Sequence, residues 1–169
     1  MYINFSEIAF QSLFQSFQLI WPLYTLLLIV VIGKLVLLFY KHYQFSTAGI
    51  FEIDHMSGDD FEKFLAILFE KLGYATKIVG SNKGDYGADL IIEKQGERTV
   101  VQAKCWHNSV GVKAVQEVYG SLHMHSCTKA CVVTNNYFTE QAKRLAEANN
   151  VELWDRNTLA KIILSTKKR

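Results

Sequence analysis

Charge is missing from the start of this chain. No Asp, Glu, Lys or Arg occurs between Ile8 and Gly33, and the first 21 residues contain neither Lys nor Arg. A cleaved signal peptide needs a basic start and a small-residue cleavage site; both are absent, since no A-x-A pattern follows the apolar run. Cysteine is also scarce. Three thiols, an odd number, argue for free cysteines rather than a disulfide framework. A strong overall charge is lacking too: residues 51–169 hold 16 Lys plus Arg against 15 Asp plus Glu. No broad basic field announces nucleic acid, so any such binding must rest on a local cluster. There is no internal repeat or low-complexity segment.

Half of the 169 residues are hydrophobic, and the excess is concentrated in one place. Residues 19–40 (LIWPLYTLLLIVVIGKLVLLFY) are apolar apart from Thr25, Lys34 and small or ring residues. At 1.5 Å per residue, this stretch is long enough for the roughly 30 Å hydrocarbon core of a bilayer. A soluble core helix would carry polar punctuation every third or fourth position, whereas this stretch is apolar all round except at Lys34, which can snorkel to the headgroups. A single transmembrane helix is expected, with the lipid bilayer as one partner. Lys34, Lys41 and His42 follow Glu7, a bias that places the C-terminal part in the cytoplasm. The expected organisation is an anchor segment over 1–41, a juxtamembrane connector over 42–55, a globular domain over 56–165 and a basic tail over 166–169.

The domain opens with a helix signal. Ser57 can cap, Asp59 and Asp60 suit the first turn, and Phe61, Phe64, Leu65, Leu68 and Leu72 recur at helical spacing up to Gly73. Strands are expected over 75–79, 88–93 and 98–105. The last two are joined by Lys94-Gln95-Gly96-Glu97, a hairpin signal. A polar, turn-rich loop, SNKGDYG, lies between the first two strands. A helix over 112–124 follows, with Val112, Val115, Val118, Tyr119 and Leu122 on its apolar side. A strand over 129–134, a helix over 139–149, a strand over 151–154 and a helix over 155–164 complete the chain. The order α-β-β-β-α-β-α-β-α predicts an α/β sandwich with a mixed central sheet, an antiparallel hairpin first and crossover-linked strands after it.

The segment TVVQAKCW, residues 99–106, is unusual for a buried strand. Its side chains alternate, so Val100, Gln102 and Lys104 share one face, with the two polar groups roughly 7 Å apart. A lysine inside a sheet costs free energy unless an anion meets it. Asp89, at the start of the hairpin's other strand, is expected to approach Lys104 and supply that anion. The Asp89 carboxylate, the Gln102 side-chain carbonyl and the Ala103 main-chain carbonyl are hard oxygen donors of the kind that suit Mg²⁺. Glu62, at the margin of the first helix's apolar stripe, can look toward the sheet. A metal-activated water and a cation that neutralises charge on the phosphate would together open a phosphodiester.

These residues resemble the Mrr-type restriction endonuclease family, a branch of the PD-(D/E)xK nucleases in which glutamine replaces the usual glutamate of the second motif. The matching residues are Phe61-Glu62, Asp85-x-Gly87-x-Asp89 and Gln102-Ala103-Lys104. The resemblance continues through Tyr119-Gly120, Val132-Val133-Thr134 and Phe138 to Ala142. It implies a restriction-endonuclease-like fold behind the N-terminal transmembrane helix, with Asp89 as metal ligand and Gln102 as metal or water ligand. It further implies Lys104 as the cation that orients phosphate and water, and Glu62 as an auxiliary carboxylate. The family often has consecutive glycines where this chain has Tyr86-Gly87. Members that restrict modified DNA carry a separate recognition domain, whose place is taken here by the apolar segment.

Other groups weigh less. Cys105, His107, His123, His125, Cys127 and Cys131 invite a zinc reading, but their spacing does not repeat paired knuckles, so buried thiols and loop histidines are the default. Gln116 and Glu117 could touch substrate, with a solvated helix face as the ordinary account. Trp106 and Trp154 are expected in packing, and Trp106 could also stack on a base. The expected function is a membrane-anchored, Mg²⁺-dependent endodeoxyribonuclease in which Mn²⁺ can substitute. DNA is the substrate, foreign or modified DNA included, and a homodimer or a separate target-recognition partner is envisaged. The alternative is a catalytically silent, membrane-tethered interaction module that keeps the nuclease fold.

Overall fold

The computed structural model describes residues 5–79 and 87–167; the side chains at 5–17, 19, 20, 46 and 47 also fall outside that description. The chain divides into two units, 1–43 and 44–169. The first is carried by α1 (Phe5–Thr47), a helix with Pro22 inside it. Its stretch Trp21–Phe45 is long and apolar enough to cross a membrane. Leu23, Ile29, Leu37 and Phe39 are all exposed along it.

The second unit is built on a five-stranded sheet in the order β1-β2-β3-β4-β5. Its strands are β1 (Ala75–Ile78), β2 (Leu90–Lys94), β3 (Glu97–Lys104), β4 (Lys129–Thr134) and β5 (Val151–Trp154). The β1–β2 and β2–β3 pairs are antiparallel, while the β3–β4 and β4–β5 pairs are parallel, as the element order predicted. The hairpin closes between Lys94 and Glu97 with Gln95 and Gly96 both at positive φ, 54° and 81°. That backbone matches strand twist, and glycine adopts it without steric cost.

Helices cover both faces. α2 (Ile50–Ile53), α3 (Gly58–Lys71) and α6 (Arg156–Lys167) lie on one side. There Ile53, Phe61, Leu65 and Phe69 pack with Leu90, Val101, Val133 and Trp154. α4 (Val112–Ser121) and α5 (Glu140–Ala148) lie on the other, where Val115, Val118 and Ala142 meet Val100, Val132 and Ile91. The alternation of β3 divides these layers: Val101 and Ala103 face α3, and Val100 faces α4.

Ser57 caps α3 as expected, accepting from the Asp60 N–H at 3.2 Å. Three expectations are corrected. Residues 42–47 continue α1, and Ala48 and Ile53 belong to the core, so the stretch read as an aperiodic connector is largely helical and partly buried. Its single-turn helix is too short for a periodic signal. The helix expected to reach residue 124 ends at Ser121. Tyr119, assigned to its apolar side, is 47% exposed because Ala114, Val115 and Val118 form the buried stripe.

Candidate active site

Asp89 sits one residue ahead of β2, and Leu90 pairs with Val101, so Asp89 stands beside Gln102 rather than Lys104. Its Oδ2 accepts from Gln102 Nε2 at 2.5 Å and from the Ala103 N–H at 2.6 Å. Both residues are buried, at 8% exposure for Asp89 and 3% for Gln102. Only the amide nitrogen of Gln102 can donate to a carboxylate, which fixes the orientation of the group. Gln102 Oε1 is consequently buried with no hydrogen-bond partner. A buried carbonyl oxygen left unmatched costs about 1–3 kcal/mol, so it marks a place where a ligand would stabilise the protein.

Lys104 differs from expectation. Its ammonium meets Glu117 Oε2 of α4 at 3.2 Å and lies 5.8 Å from the centre of the Trp106 ring. The register sets Lys104 two residues of strand, roughly 7 Å, beyond the row of Asp89, on the side where α4 brings Glu117 to it. Glu117, read from the sequence as a solvated face, is the anion that meets the half-buried Lys104. Its other oxygen lies 3.8 Å from Lys113 Nζ. Lys104, Trp106, Lys113 and Glu117 line a cleft of about 80 Å³.

Gly87 explains how α4 comes so close. It has φ +88°, and a Cβ placed on it would lie 2.6 Å from Glu117 Cβ, 3.0 Å from the Glu117 carbonyl carbon and 3.0 Å from Gln102 Oε1. A side chain there would collide with backbone, so the position demands glycine on two grounds. Asp85 and Tyr86 lie outside the described residues.

Glu62 enters from the other layer. Cys105 Sγ is 3.5 Å from both the Ile53 and Met56 carbonyl oxygens, and Lys94 Nζ donates to the Leu72 carbonyl at 2.8 Å. α3 therefore starts above the end of β3 that bears Lys104, and half-buried Glu62 belongs to that end. Gln116 is exposed on α4, and Trp106 is half-exposed at the cleft.

A second polar network, not foreseen from the sequence, braces the same end. Thr134 Oγ1 donates to the Lys104 carbonyl at 2.7 Å, and Asn135 Oδ1 accepts from the Trp106 N–H at 2.9 Å. Asn135 Nδ2 donates to Asp54, which forms a two-pronged pair with Arg156 at 2.6 and 2.8 Å. The Arg156 guanidinium, opposed by desolvation and helped by Asn135, holds the Asp54 carboxyl below the usual carboxylate range. Thr-Asn-Asn directly after an apolar parallel strand was the available signal, since polar groups at carboxyl strand ends serve sites in such sheets. The thiols stand apart: burial pushes Cys105, Cys127 and Cys131 above the usual thiol range, Cys131 furthest.

A family model described as restriction endonuclease, that of the Mrr catalytic domain, matches residues 53–163. The type IV methyl-directed restriction enzyme EcoKMrr of Escherichia coli K12 is 29% identical over 100 residues, 55% of this chain and 33% of that protein. An uncharacterised protein of Archaeoglobus fulgidus is 31% identical over 98 residues, 53% of this chain and 56% of its own length. The chain thus spans between a third and somewhat over half of these relatives. Among solved structures, the DNA modification-dependent restriction endonuclease AspBHI superimposes with a TM-score of 0.55 at 20% identity, covering 70% of this chain and 35% of that one. The crystal structure of a protein of unknown function gives 0.54 at 24% identity, over 63% and 65%. These two likenesses bear on the fold alone.

Proposed function

The chain belongs to the restriction endonuclease family, and on that premise we propose that it is a divalent-metal-dependent endodeoxyribonuclease borne on a membrane-spanning helix, its catalytic domain facing the cytoplasm. The observation that carries the reading is Gln102 Oε1, buried and unpartnered beside the Asp89 carboxylate. Two oxygens of this kind, joined by the Ala103 main-chain carbonyl, fit a hard cation such as Mg²⁺, with Mn²⁺ able to replace it. Asp89, Gln102 and Ala103 would hold the ion, with Glu62 as an auxiliary carboxylate. When bound, the ion supplies an activated water and offsets charge on the phosphate.

The chain's own groups do the rest. The Ala103 N–H and Gln102 Nε2 fix the Asp89 carboxylate, so little reorganisation is needed as charge develops. Lys104 meets the phosphate's growing negative charge. Trp106, beside it, offers a ring for an unstacked base, and Gln116 lies further along α4 as a substrate contact. The polar network through Thr134 and Asn135 holds the end of β3 in place.

One observation favours a second reading, a catalytically silent tethered module: Lys104 is already engaged by Glu117. Incubating full-length protein in detergent with plasmid, methylated duplex, single-stranded DNA and RNA, with and without Mg²⁺ or Mn²⁺, separates the two. The enzyme cuts DNA only with metal; the module binds without cutting at any metal concentration. Methylated duplex is included because of EcoKMrr's methyl-directed character. Sedimentation with membranes that survives alkaline carbonate tests the anchor; recovery in the soluble fraction would remove it.

A further inference from the structure

We infer that Glu117 supplies a second carboxylate to the metal site, and that cation binding opens its ion pair with Lys104. The inference rests on the metal-dependent nuclease reading above.

Charge poses the problem. Mg²⁺ is commonly held by one or two carboxylates, and the Gln102 oxygen beside Asp89 is neutral. Asp89 contributes one negative charge. Glu117 is placed to contribute another. Its Cβ and Gln102 Oε1 approach the same point above Gly87, at 2.6 and 3.0 Å, so α4 and β3 face each other across the thickness of one backbone. Gln102 Oε1, on a side chain 97% buried by its 3% exposure, is the unpartnered oxygen of that contact.

Glu117 is also held in an exchangeable way. It makes single contacts at 3.2 Å to Lys104 and 3.8 Å to Lys113, with 31% of its side chain exposed. A divalent ion competes with two ammonium groups for the same carboxylate. The exchange has a consequence: once Glu117 turns to the cation, the Lys104 ammonium is released toward the phosphate. Metal and DNA should therefore bind cooperatively, each raising the other's affinity by the same factor.

Calorimetric titration of Mn²⁺ into full-length protein in detergent tests this directly. Glu117→Gln is expected to weaken Mn²⁺ binding about tenfold or more, and adding Gln102→Glu to that variant should restore it. Lys104→Met removes the competing ammonium and is expected to tighten Mn²⁺ binding several-fold, a result independent of how well Glu117→Gln folds. Wild-type affinity in Glu117→Gln, or unchanged or weaker binding in Lys104→Met, overturns the inference. Asp89→Asn separates it from the reading beneath: lost affinity in Asp89→Asn with full affinity in Glu117→Gln removes Glu117 alone. Full affinity in Asp89→Asn removes the metal site itself.

Discussion

Two ion pairs brace the same end of the sheet, and they are made differently. Asp54 and Arg156 meet through two parallel contacts at 2.6 and 2.8 Å, and Asn135 occupies a further acceptor position on Asp54. Planar guanidinium and planar carboxylate match, so every strong group in that pair is used. Lys104 and Glu117 meet through one contact at 3.2 Å, share Glu117 with Lys113, and lie near an unpartnered buried oxygen. The first pair is closed and joins α2 to α6. The second is open to competition from a ligand. Saturated pairs stabilise a fold, whereas partly satisfied ones are where a buried polar group has something left to bind.

The sharpest way to break this contrast is to remove one member of each pair and read activity and stability together. Lys104→Ala deletes the cation proposed to face the phosphate while leaving Asp89 and Gln102 in place. Metal-dependent cleavage should fall about a thousandfold, with DNA binding still measurable. Equal cleavage by Lys104→Ala and wild type would end the catalytic assignment. Asp89→Ala acts one step earlier, since it removes the proposed metal ligand, a carboxylate that Gln102 and Ala103 hold in position. Cleavage at low Mg²⁺ should drop by one to two orders of magnitude and recover partly as Mn²⁺ is raised. A loss that no metal concentration relieves would assign Asp89 a different role. Arg156→Met should do the opposite of both. It is expected to cost about 2 kcal/mol of stability in urea denaturation, the scale of a charge-assisted hydrogen bond. Cleavage per folded molecule should change by less than twofold to threefold. A large activity loss at unchanged stability would show that the closed pair is part of the site.

These outcomes bear on how much the sequence discloses. Asp89 and Gln102 were singled out because a hairpin is local: Gln95-Gly96 specifies the turn and the turn the register, although the sequence reading paired Asp89 with Lys104 where the register puts it beside Gln102. The mixed sheet was legible from element order, since antiparallel neighbours need short links and parallel ones need crossover helices. The partner of Lys104 was not. Alternation says which face Lys104 occupies, but nothing local says that α4 crosses that face with Glu117 turned inward. Charged positions on an amphipathic helix look solvated until tertiary packing decides otherwise. Asp54 and Arg156, 102 residues apart, were hidden for the same reason. Gly87 was visible as part of a motif, yet its physical necessity comes from Gln102 and Glu117, two and three elements further along the chain.

The smallest expected effect sharpens the comparison most specifically, because it isolates the charge of the closed pair. Asp54 has its carboxyl lowered, first by the hydrogen bonds to Arg156, against an opposing desolvation. A group whose folded value is depressed contributes stability above its unfolded value and loses it as pH falls through the folded value. The unfolded value is that of an ordinary aspartate, about 3.9. The stability difference between wild type and Asp54→Asn should therefore be constant from neutral pH down to about 4.5, then shrink steadily under more acidic conditions. Taking the difference matters, since other carboxylates titrate in the same range and cancel between the two proteins. Urea denaturation at a series of pH values measures it. A gap that stays constant throughout the acid range would mean that the pair owes its stability to shape and hydrogen bonding that asparagine lacks. A gap that closes well above pH 5 would mean that Arg156 does not hold the Asp54 carboxyl down in solution.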